Sequence, residues 1–356
     1  MKATVLHIIE SLVMGGAEVL LTESLKGFSD QYRHVVVYMR PPVTLLPEVK
    51  ADKIYCLNYS GKYSLLKCAY RLKQIIKKEK IDLIHAHHYW PTLVSRLAKH
   101  KNIPLIFTVH NALSKDAFEL NRLSYYAEKL TYSGNNHVVF VSEAVYKDYD
   151  RTIGVKGKAD VIYNFVSDQF YDADFEKTES QVAIPFRLVA VATLKDQKNY
   201  PLLLAAMELL KDDAIHLDII GSGPLWSELQ NMIATDGLEK VKLKGEQSSV
   251  HKLLHQYDGF IQASSHEGFG IAMVEAMAIG LPCILSDIET HKEITAGNAL
   301  FFDPKSPEEC AAKIKVLRDN LDLRNTLMGA GKVRARAFRK QVYLDEIEAL
   351  YQQYLT

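Results

Sequence analysis

The chain has 356 residues, of which 48% are hydrophobic and 24% charged, a balance that excludes a largely disordered protein. Because a single hydrophobic core rarely grows beyond about 250–300 residues, this length predicts two domains. The net charge is zero but uneven: residues 1–165 carry 23 basic and 15 acidic side chains, and residues 166–356 carry 20 and 28.

Two further features limit the class of protein. No uncharged apolar run approaches the ~18 residues of a membrane-spanning helix, and the N-terminal run is too short for a signal peptide. The four cysteines, Cys56, Cys68, Cys283 and Cys310, are far apart and predict free thiols in a reducing compartment. A cytoplasmic location is therefore expected.

The first half alternates short apolar runs with amphipathic stretches. Buried strands are predicted at 4–9, 35–39, 82–86, 105–109 and 138–142, with helices at 17–27, 65–79 and 91–100. This alternation is typical of βαβ units and predicts a parallel sheet with helices on both faces, spanning residues 1–165.

The pattern restarts after a polar, acidic linker over 166–186. Strands are predicted at 187–193, 215–221, 241–244, 258–263, 282–286 and 299–302, separated by helices at 200–211, 224–235, 248–256 and from 271. The second domain therefore spans 187–340, and the chain as a whole is predicted to be α/β with two Rossmann-like domains.

Two glycine-rich turns follow predicted strands. Gly15 and Gly16 open the first helix, and Gly221 and Gly223 precede Pro224 after a strand of the second half. Glycines at such turns allow a ligand to approach the backbone and the free N–H groups of a helix. A purely structural turn is the open alternative for both, since neither completes the G-x-G-x-x-G pattern of a dinucleotide site.

The most specific motif is the string from Ser264 to Ala276, SSHEGFGIAMVEA, which follows the strand 258–263. Its glycines lead into a helix that begins near Ile271, whose N-terminus favours an anion. Glu267 lies in the loop and Glu275 one turn into the helix. Carboxylates beside an anion site are expected to accept hydrogen bonds from hydroxyls, such as those of ribose or a sugar.

Cationic and imidazole side chains follow other strands. Lys195 and Lys198 lie after the first strand of the second half, where a lysine can neutralise a diphosphate. His85, His87 and His88 form an H-x-H-H cluster without acidic or cysteine partners at ligand spacing, so packing is expected and no metal site is predicted. His110, at the end of another strand, is placed to bind or polarise a reacting group.

Together these segments resemble the retaining GT-B glycosyltransferases of family 4. The resemblance covers almost the whole chain and includes the GGAE turn, the HAHH and TVH segments, VSEAV, VIYNF, Q-K-N, IGSGP and E-G-F-G-I-x-x-V-E. The last of these matches the family's E-x7-E signature. The resemblance implies two Rossmann-like parallel-sheet domains facing across a cleft, with a C-terminal helix, 341–356, crossing back to the first domain.

The resemblance also implies roles for individual residues. Glu275 would bind the ribose hydroxyls, Lys198 the diphosphate, and Gly16, beside Gly15, would close on the donor phosphates. Glu267 and the backbone of Gly268, Phe269, Gly270 and Ile271 would contact the sugar and diphosphate, with Gly221 and Gly223 touching the nucleotide. His110 would lie beside the transferred sugar, so that His110 and Glu267 are the candidate catalytic residues. No metal and no cofactor are expected.

The implied activity is transfer of a sugar from a UDP- or GDP-sugar to a saccharide or lipid-linked saccharide, with retention, in surface polysaccharide or glycan synthesis. A sugar-nucleotide isomerase on the same scaffold and a non-catalytic nucleotide-sugar-binding protein are the alternatives. The second alternative rests on one departure: the family's G-R-L string reads Ala192-Thr193-Leu194 here, so Thr193 replaces an arginine. No nucleic-acid partner is expected.

A basic stretch at 65–80 predicts contact with an anionic membrane. It carries Lys67, Arg71, Lys73, Lys77, Lys78 and Lys80 beside Leu65, Leu66, Leu72, Ile75 and Ile76. A basic amphipathic helix of this kind can lie on the inner face of a membrane. The alternative is that the apolar stripe packs into the protein's own core and leaves the charges in solvent.

Overall fold

The computed structural model of the chain describes residues 2–117, 122–171 and 185–355. The chain forms two compact units, one comprising Met1–Phe165 and Lys340–Thr356 and the other Val166–Arg339. Of the predicted linker 166–186, residues 172–184 lie outside the described residues, whereas 166–171 belong to the second unit. There the Val166 N–H donates to the Phe338 carbonyl over 3.0 Å.

The first unit is built on a seven-stranded parallel sheet in the order β3-β2-β1-β4-β5-β6-β7. Its strands are β1 Ala3–Ile9, β2 Tyr32–Tyr38, β3 Lys53–Cys56, β4 Leu83–His87, β5 Leu105–Val109, β6 Asn136–Phe140 and β7 Ala159–Val161. The central strands are buried on both faces, which explains why they read as continuous apolar runs rather than alternating ones.

Helices connect these strands. They are α1 Gly16–Leu25, α2 Leu65–Glu79, α3 Tyr89–Ala98, α4 Arg122–Thr131 and α5 Glu143–Thr152. The C-terminal helix, α13 Lys340–Leu355, also packs in this unit, where Ile347 and Tyr351 share a hydrophobic cluster with Val5 of β1 and Leu83 of β4. This burial ties the end of the chain to the first sheet.

The second unit has a six-stranded parallel sheet in the order β10-β9-β8-β11-β12-β13. Its strands are β8 Phe186–Val191, β9 Ile215–Ile220, β10 Val241–Gly245, β11 Gly259–Gln262, β12 Cys283–Ser286 and β13 Leu300–Phe302. The helices are α6 Tyr200–Leu209, α7 Trp226–Thr235, α8 Val250–Leu254, α9 Ile271–Ile279, α10 Glu289–Thr295, α11 Pro307–Asp319 and α12 Leu321–Ala335. The predicted α/β class with two parallel-sheet domains is confirmed.

Each sheet has a point where strand order reverses. β1 lies between β2 and β4, and β8 lies between β9 and β11. Ligands of open α/β sheets bind outside the carboxyl ends of the strands at such a point. The loops after β1, β4 and β5 in the first unit, and after β8, β9 and β11 in the second, therefore define where functional side chains are expected.

None of the helices that the structure describes combines the length and the hydrophobicity that crossing a bilayer requires.

Candidate functional site

The loop after β11 in the second unit leads directly into a helix whose N-terminus is open. Gly270 has a φ of +87°, a left-handed conformation that glycine adopts without strain, and α9 begins at Ile271 as predicted. The first N–H groups of α9 therefore have no partner within the helix and carry the positive end of its dipole. Gly280, with a φ of +91°, ends this helix.

Glu267 lies at the centre of a buried hydrogen-bond network in this loop. Its Oε1 accepts from Lys198 Nζ at 2.5 Å, from Gln262 Nε2 at 2.5 Å and from Ser264 Oγ at 2.6 Å. Burial raises the pKa of the Glu267 carboxyl, but the Lys198 ammonium and the other donors outweigh burial, so its pKa lies below the usual range. The carboxylate is therefore ionised and fixed in position.

Lys198 reaches Glu267 from the turn that follows β8. The segment Asp196–Lys198 forms one turn of 3-10 helix before α6, and the Gln197 side chain donates to the His266 carbonyl over 2.7 Å. These contacts join the loop after β8 to the loop after β11. Sequence reasoning predicted Lys198 and Glu267 as separate ligands of the donor, and the structure shows that they also hold each other.

Glu275 lies in α9, one turn beyond the open N-terminus, and its environment differs from that of Glu267. Burial raises the pKa of its carboxyl to about 7. No hydrogen bond reaches the Glu275 carboxylate from another side chain in the described parts of the chain. A half-buried carboxylate without a donor is costly by itself and has free capacity for hydroxyl donors.

The structure explains why glycine occupies positions 221 and 223, in the turn after β9. A Cβ atom at Gly221 would overlap the Ala192 carbonyl, and one at Gly223 would overlap the Leu194 backbone. A hydrogen bond of 2.9 Å from the Leu194 N–H to the Ser222 carbonyl stabilises this close approach. The turn therefore explains both glycines without a ligand. The following helix begins at Trp226, so Pro224 lies before it and not at its first position.

The Phe269 side chain belongs to the core. It is 2% exposed and packs edge-on against Phe338, with ring centroids 5.2 Å apart. The role predicted for Phe269 therefore concerns its backbone and not its ring. Thr193, at the position of the missing arginine, is exposed, and Lys195 lies two residues away in the same loop.

The carboxyl end of the first sheet brings together Gly15, Gly16 and His110. Gly15 caps α1 and Gly16 begins it, while His110 follows β5 and is buried. Burial, with the nearby His88 and His87, lowers the pKa of His110 well below its usual value, so the ring is neutral. A neutral imidazole can donate one hydrogen bond and accept another.

Sequence reasoning missed two members of this edge. Glu18 is buried in the first turn of α1, and its Oε1 lies 3.8 Å from His88 Nε2. His88 caps α3 with a φ of +69°, a conformation that costs a non-glycine residue energy and often marks functional sites. Glu18 is part of the GGAE motif, although no role was predicted for its side chain. Nothing in the sequence indicates the positive φ of His88.

A cavity of about 330 Å³ opens beside these residues. Its lining includes His88, Trp90, His110, Asn111 and Asp116. Polar groups beside an aromatic face are the usual composition of a site for a small polar ligand. The first unit therefore offers a second candidate site, built around His110.

Comparison with known proteins agrees with this architecture. The family described as Glycosyltransferase Family 4 matches residues 14–170, and the family described as Glycosyl transferases group 1 matches residues 174–334. An uncharacterized glycosyltransferase of Methanocaldococcus jannaschii is 27% identical over 351 residues, covering 96% of this chain and 95% of that protein. The alpha-monoglucosyldiacylglycerol synthase of Acholeplasma laidlawii is 26% identical over 307 residues, covering 78% and 76%.

Solved structures show the same fold. The Anabaena protein HepE, crystallised in complex with UDP and glucose, has a TM-score of 0.83 to this chain at 21% identity, over 98% of this chain and 99% of HepE. The sucrose-phosphate synthase of Thermosynechococcus elongatus has a TM-score of 0.82 at 17% identity, over 99% of each chain. The two parallel sheets, the E-x7-E segment and the two family matches agree with one another. The chain is a glycosyltransferase with the GT-B fold and belongs to glycosyltransferase family 4.

Proposed function

We propose that the second unit binds a nucleoside diphosphate sugar, with UDP or GDP as the nucleotide, and that the enzyme transfers the sugar with retention. The observation that carries this proposal is the Glu275 carboxylate, half-buried near the open N-terminus of α9 without a hydrogen-bond donor from the described protein. A ribose diol supplies two donors to one carboxylate, and a diphosphate suits the adjacent helix N-terminus.

Lys198 and the N–H groups at Gly270 and Ile271 would stabilise the leaving diphosphate. An ammonium has three N–H donors, so Lys198 can keep its contact with Glu267 and still donate to a phosphate oxygen. Such preorganised donors stabilise charge where it develops in the transition state. This scheme uses no metal for the transfer step, and Glu267 would position Lys198 as well as contact the sugar.

His110 and the cavity beside it would receive the acceptor. The neutral imidazole can donate to a sugar hydroxyl, and Trp90 offers an apolar ring against which a sugar can pack. Gly16, at the start of α1, would let the backbone approach the donor phosphates. We propose no covalent intermediate: the acceptor hydroxyl would attack the anomeric carbon on the face from which the diphosphate leaves, which retains the configuration, and its proton would pass to the leaving phosphate oxygen.

The relatives support an acceptor that is a saccharide or a lipid-linked saccharide, and a role in glycan or surface polysaccharide synthesis. The Acholeplasma laidlawii relative is named for a glucosyldiacylglycerol product, and the Anabaena structure contains UDP and glucose. These names describe those proteins. For this chain they favour a UDP-sugar donor and an acceptor presented at a membrane.

Contact with the inner face of an anionic membrane would use only part of the predicted stripe of α2, together with tyrosines outside it. Leu72 and Ile76 are buried, so this part of the stripe packs into the core. The outer face exposes Leu66 and Tyr70, by 76% and 65%, and Tyr63 just before the helix by 92%. These apolar side chains stand among exposed lysines, the composition of an interfacial helix.

A donor panel followed by a transfer assay tests this function. The full chain is screened for thermal stabilisation by UDP- and GDP-sugars, where a donor at ~100 times its dissociation constant adds ~2.7 kcal/mol. With the stabilising donor, nucleoside diphosphate should be released faster when saccharide or lipid-linked acceptors are added. Conversion of the donor into another sugar nucleotide without release of nucleoside diphosphate would identify an isomerase instead.

A further inference from the structure

Three buried histidines converge in the interior of the first unit, on two neighbouring strands. His7 of β1 and His85 of β4 are partners in the parallel register, and His87 lies two residues further along β4, on the same face. Each is 1% exposed. One ring nitrogen from each of the three lies within 4.8 Å of the other two.

Two of these rings have a nitrogen without a hydrogen-bond partner. His7 Nδ1 and His87 Nε2 are fully buried, and no group in the described part of the chain bonds to either. A buried polar nitrogen left unpaired is costly, and native folds keep few of them. Two such atoms in one cluster indicate that something outside the protein chain completes it.

The opposite nitrogen of each of these two rings contacts a further histidine. His7 Nε2 is 3.0 Å from His34 Nδ1, and His87 Nδ1 is 3.3 Å from His110 Nε2. When these outer nitrogens carry the protons, the unpaired nitrogens have free lone pairs. Metal-binding histidines have this arrangement, in which the nitrogen away from the ion donates to an outer partner and fixes the tautomer.

His85 completes the cluster in a different way, because both of its nitrogens are occupied. Nδ1 is 2.6 Å from the Tyr351 hydroxyl and Nε2 is 2.8 Å from Thr108 Oγ1. A change of χ1 at Thr108 would move its oxygen away from Nε2 and free that nitrogen, while the Tyr351 contact holds the ring. Burial, with neighbouring histidines, lowers the pKa of His7, His85 and His87 well below the usual value, so all three are neutral, the form that binds metal.

We propose that His7, His85 and His87 bind one divalent transition-metal ion of the Zn²⁺ class. Three imidazole nitrogens around tetrahedral Zn²⁺, each at about 2.0–2.1 Å, lie about 3.3 Å apart. The separations of up to 4.8 Å seen here must therefore contract when an ion binds. The ring centroids lie 4.3, 5.9 and 6.2 Å apart at interplanar angles of 32°, 41° and 15°, so the rings must also turn for one nitrogen of each to face the same ion.

The donor set decides the kind of ion. Imidazole nitrogens suit zinc, copper and nickel, whereas magnesium and calcium require oxygen ligands. The ion would join β1 to β4 at the centre of the sheet and stabilise the first unit. The site contains neither Lys198, Glu267 nor Glu275, so its test by metal binding does not depend on the proposed donor site, although His87 contacts His110, the proposed catalytic histidine.

Metal titration of the tag-free full chain, stripped with a chelator, tests the site. Addition of Co²⁺ should produce visible absorption bands of a four-coordinate ion that saturate at about one ion per chain, as one structural site requires. Zn²⁺ should bleach these bands and raise the thermal unfolding midpoint. A wild-type chain that shows no such bands and no stoichiometric Zn²⁺ binding would overturn the proposal.

Variants locate the ion. His7→Gln and His87→Gln should each weaken Co²⁺ affinity at least about tenfold, because each removes a ligand. His137→Gln is the matched control, since His137 is a buried histidine of the same unit outside the cluster. Circular dichroism checks that each variant is folded. Unchanged stoichiometry and affinity in the folded double variant His7→Gln, His87→Gln would place the ion elsewhere and refute the assignment.

Discussion

Glu275, the proposed ribose ligand, is expected to destabilise the unliganded fold at high pH. Its pKa of about 7 lies above the about 4.3 of an exposed glutamate. Between these values the folded chain holds a proton that the unfolded chain has released, so the contribution of Glu275 to stability falls as the pH rises from about 4 to 7. Above pH 7 the Glu275 carboxyl is ionised in both the folded and the unfolded chain, and its full unfavourable contribution to the stability of the fold is present.

Glu275→Gln should therefore stabilise the unliganded protein at high pH. We expect its free energy of unfolding at pH 8 to exceed that of the wild type by on the order of 1–3 kcal/mol, and the difference to vanish near pH 4. Urea unfolding at both pH values measures it. Glu289→Gln, at the exposed first turn of α10, is the control and should show no pH-dependent gain. A gain of equal size at pH 4 and pH 8 would contradict this explanation.

The Lys198–Glu267 pair should behave as one unit. Lys198→Met leaves the Glu267 carboxylate buried without its cation, which should cost about 3–5 kcal/mol of unfolding free energy at neutral pH. Because the freed carboxyl then titrates at higher pH, this loss should shrink as the pH is lowered. Adding Glu267→Gln should recover most of it. If the unfolding free energy lost in the double variant equals the sum of the losses in the two single variants, the pair is not coupled.

His110 is expected to act mainly in the transition state. His110→Ala should lower kcat about 100-fold or more, as removal of a preorganised donor does, and leave nucleotide affinity almost unchanged. Steady-state kinetics and nucleotide titration measure the two quantities separately. A parallel loss of nucleotide affinity with unchanged kcat would assign His110 to donor binding instead.

At the scale of elements, α2 carries the expected membrane contact. Vesicles containing anionic lipid should sediment the protein at low salt, and less so as salt screens the attraction. Lys73→Gln, Lys77→Gln and Lys80→Gln together should remove most of the binding, and Leu66→Ser with Tyr70→Ser should weaken what remains at high salt. Leu209→Ser, an exposed leucine of the second unit, is the apolar control. Binding that is unaffected by the α2 variants would place the contact on another surface.

The same helix shows where sequence reasoning succeeds and where it fails. Periodicity marked 65–79 as a helix, and its bounds agree with Leu65–Glu79, because an amphipathic pattern follows directly from burial of one face. Periodicity does not show which apolar residues face the core, so it left open whether Leu72 and Ile76 contact a membrane or pack inside the protein, and the structure buries both. Exposure depends on neighbours that the sequence of one helix does not contain.

Short or edge elements are missed for a related reason. β3, Lys53–Cys56, and β7, Ala159–Val161, lie at the two edges of the first sheet and bury their side chains only in part. No apolar run therefore marks them, whereas β4 and β5, buried on both faces, were found. Glu267 and Lys198 were identified by motif, but their contact over 2.5 Å joins loops from different strands, and only the fold brings them together.

At the scale of the whole molecule, the two units follow one design. In each, a parallel sheet reverses its strand order at one point, and the candidate functional residues lie in the loops and first helical turns that follow the strands near that point. The first unit contributes His110 with its cavity, and the second contributes Lys198, Glu267 and Glu275. The family assignment and the fold are established by the comparisons, and donor binding by the second unit is the claim on which the proposed function depends.

Calorimetric titration of UDP and GDP into the wild type and Glu275→Ala tests that claim most directly. The account expects one of the two nucleotides to bind the wild-type chain, and Glu275→Ala to lose about 1.5–3 kcal/mol of binding free energy, the value of hydrogen bonds to a charged acceptor. Glu289→Ala, the exposed control, should bind as the wild type does. If Glu275→Ala binds the nucleotide as tightly as the wild type while remaining folded, Glu275 does not hold the ribose and the proposed donor site is wrong.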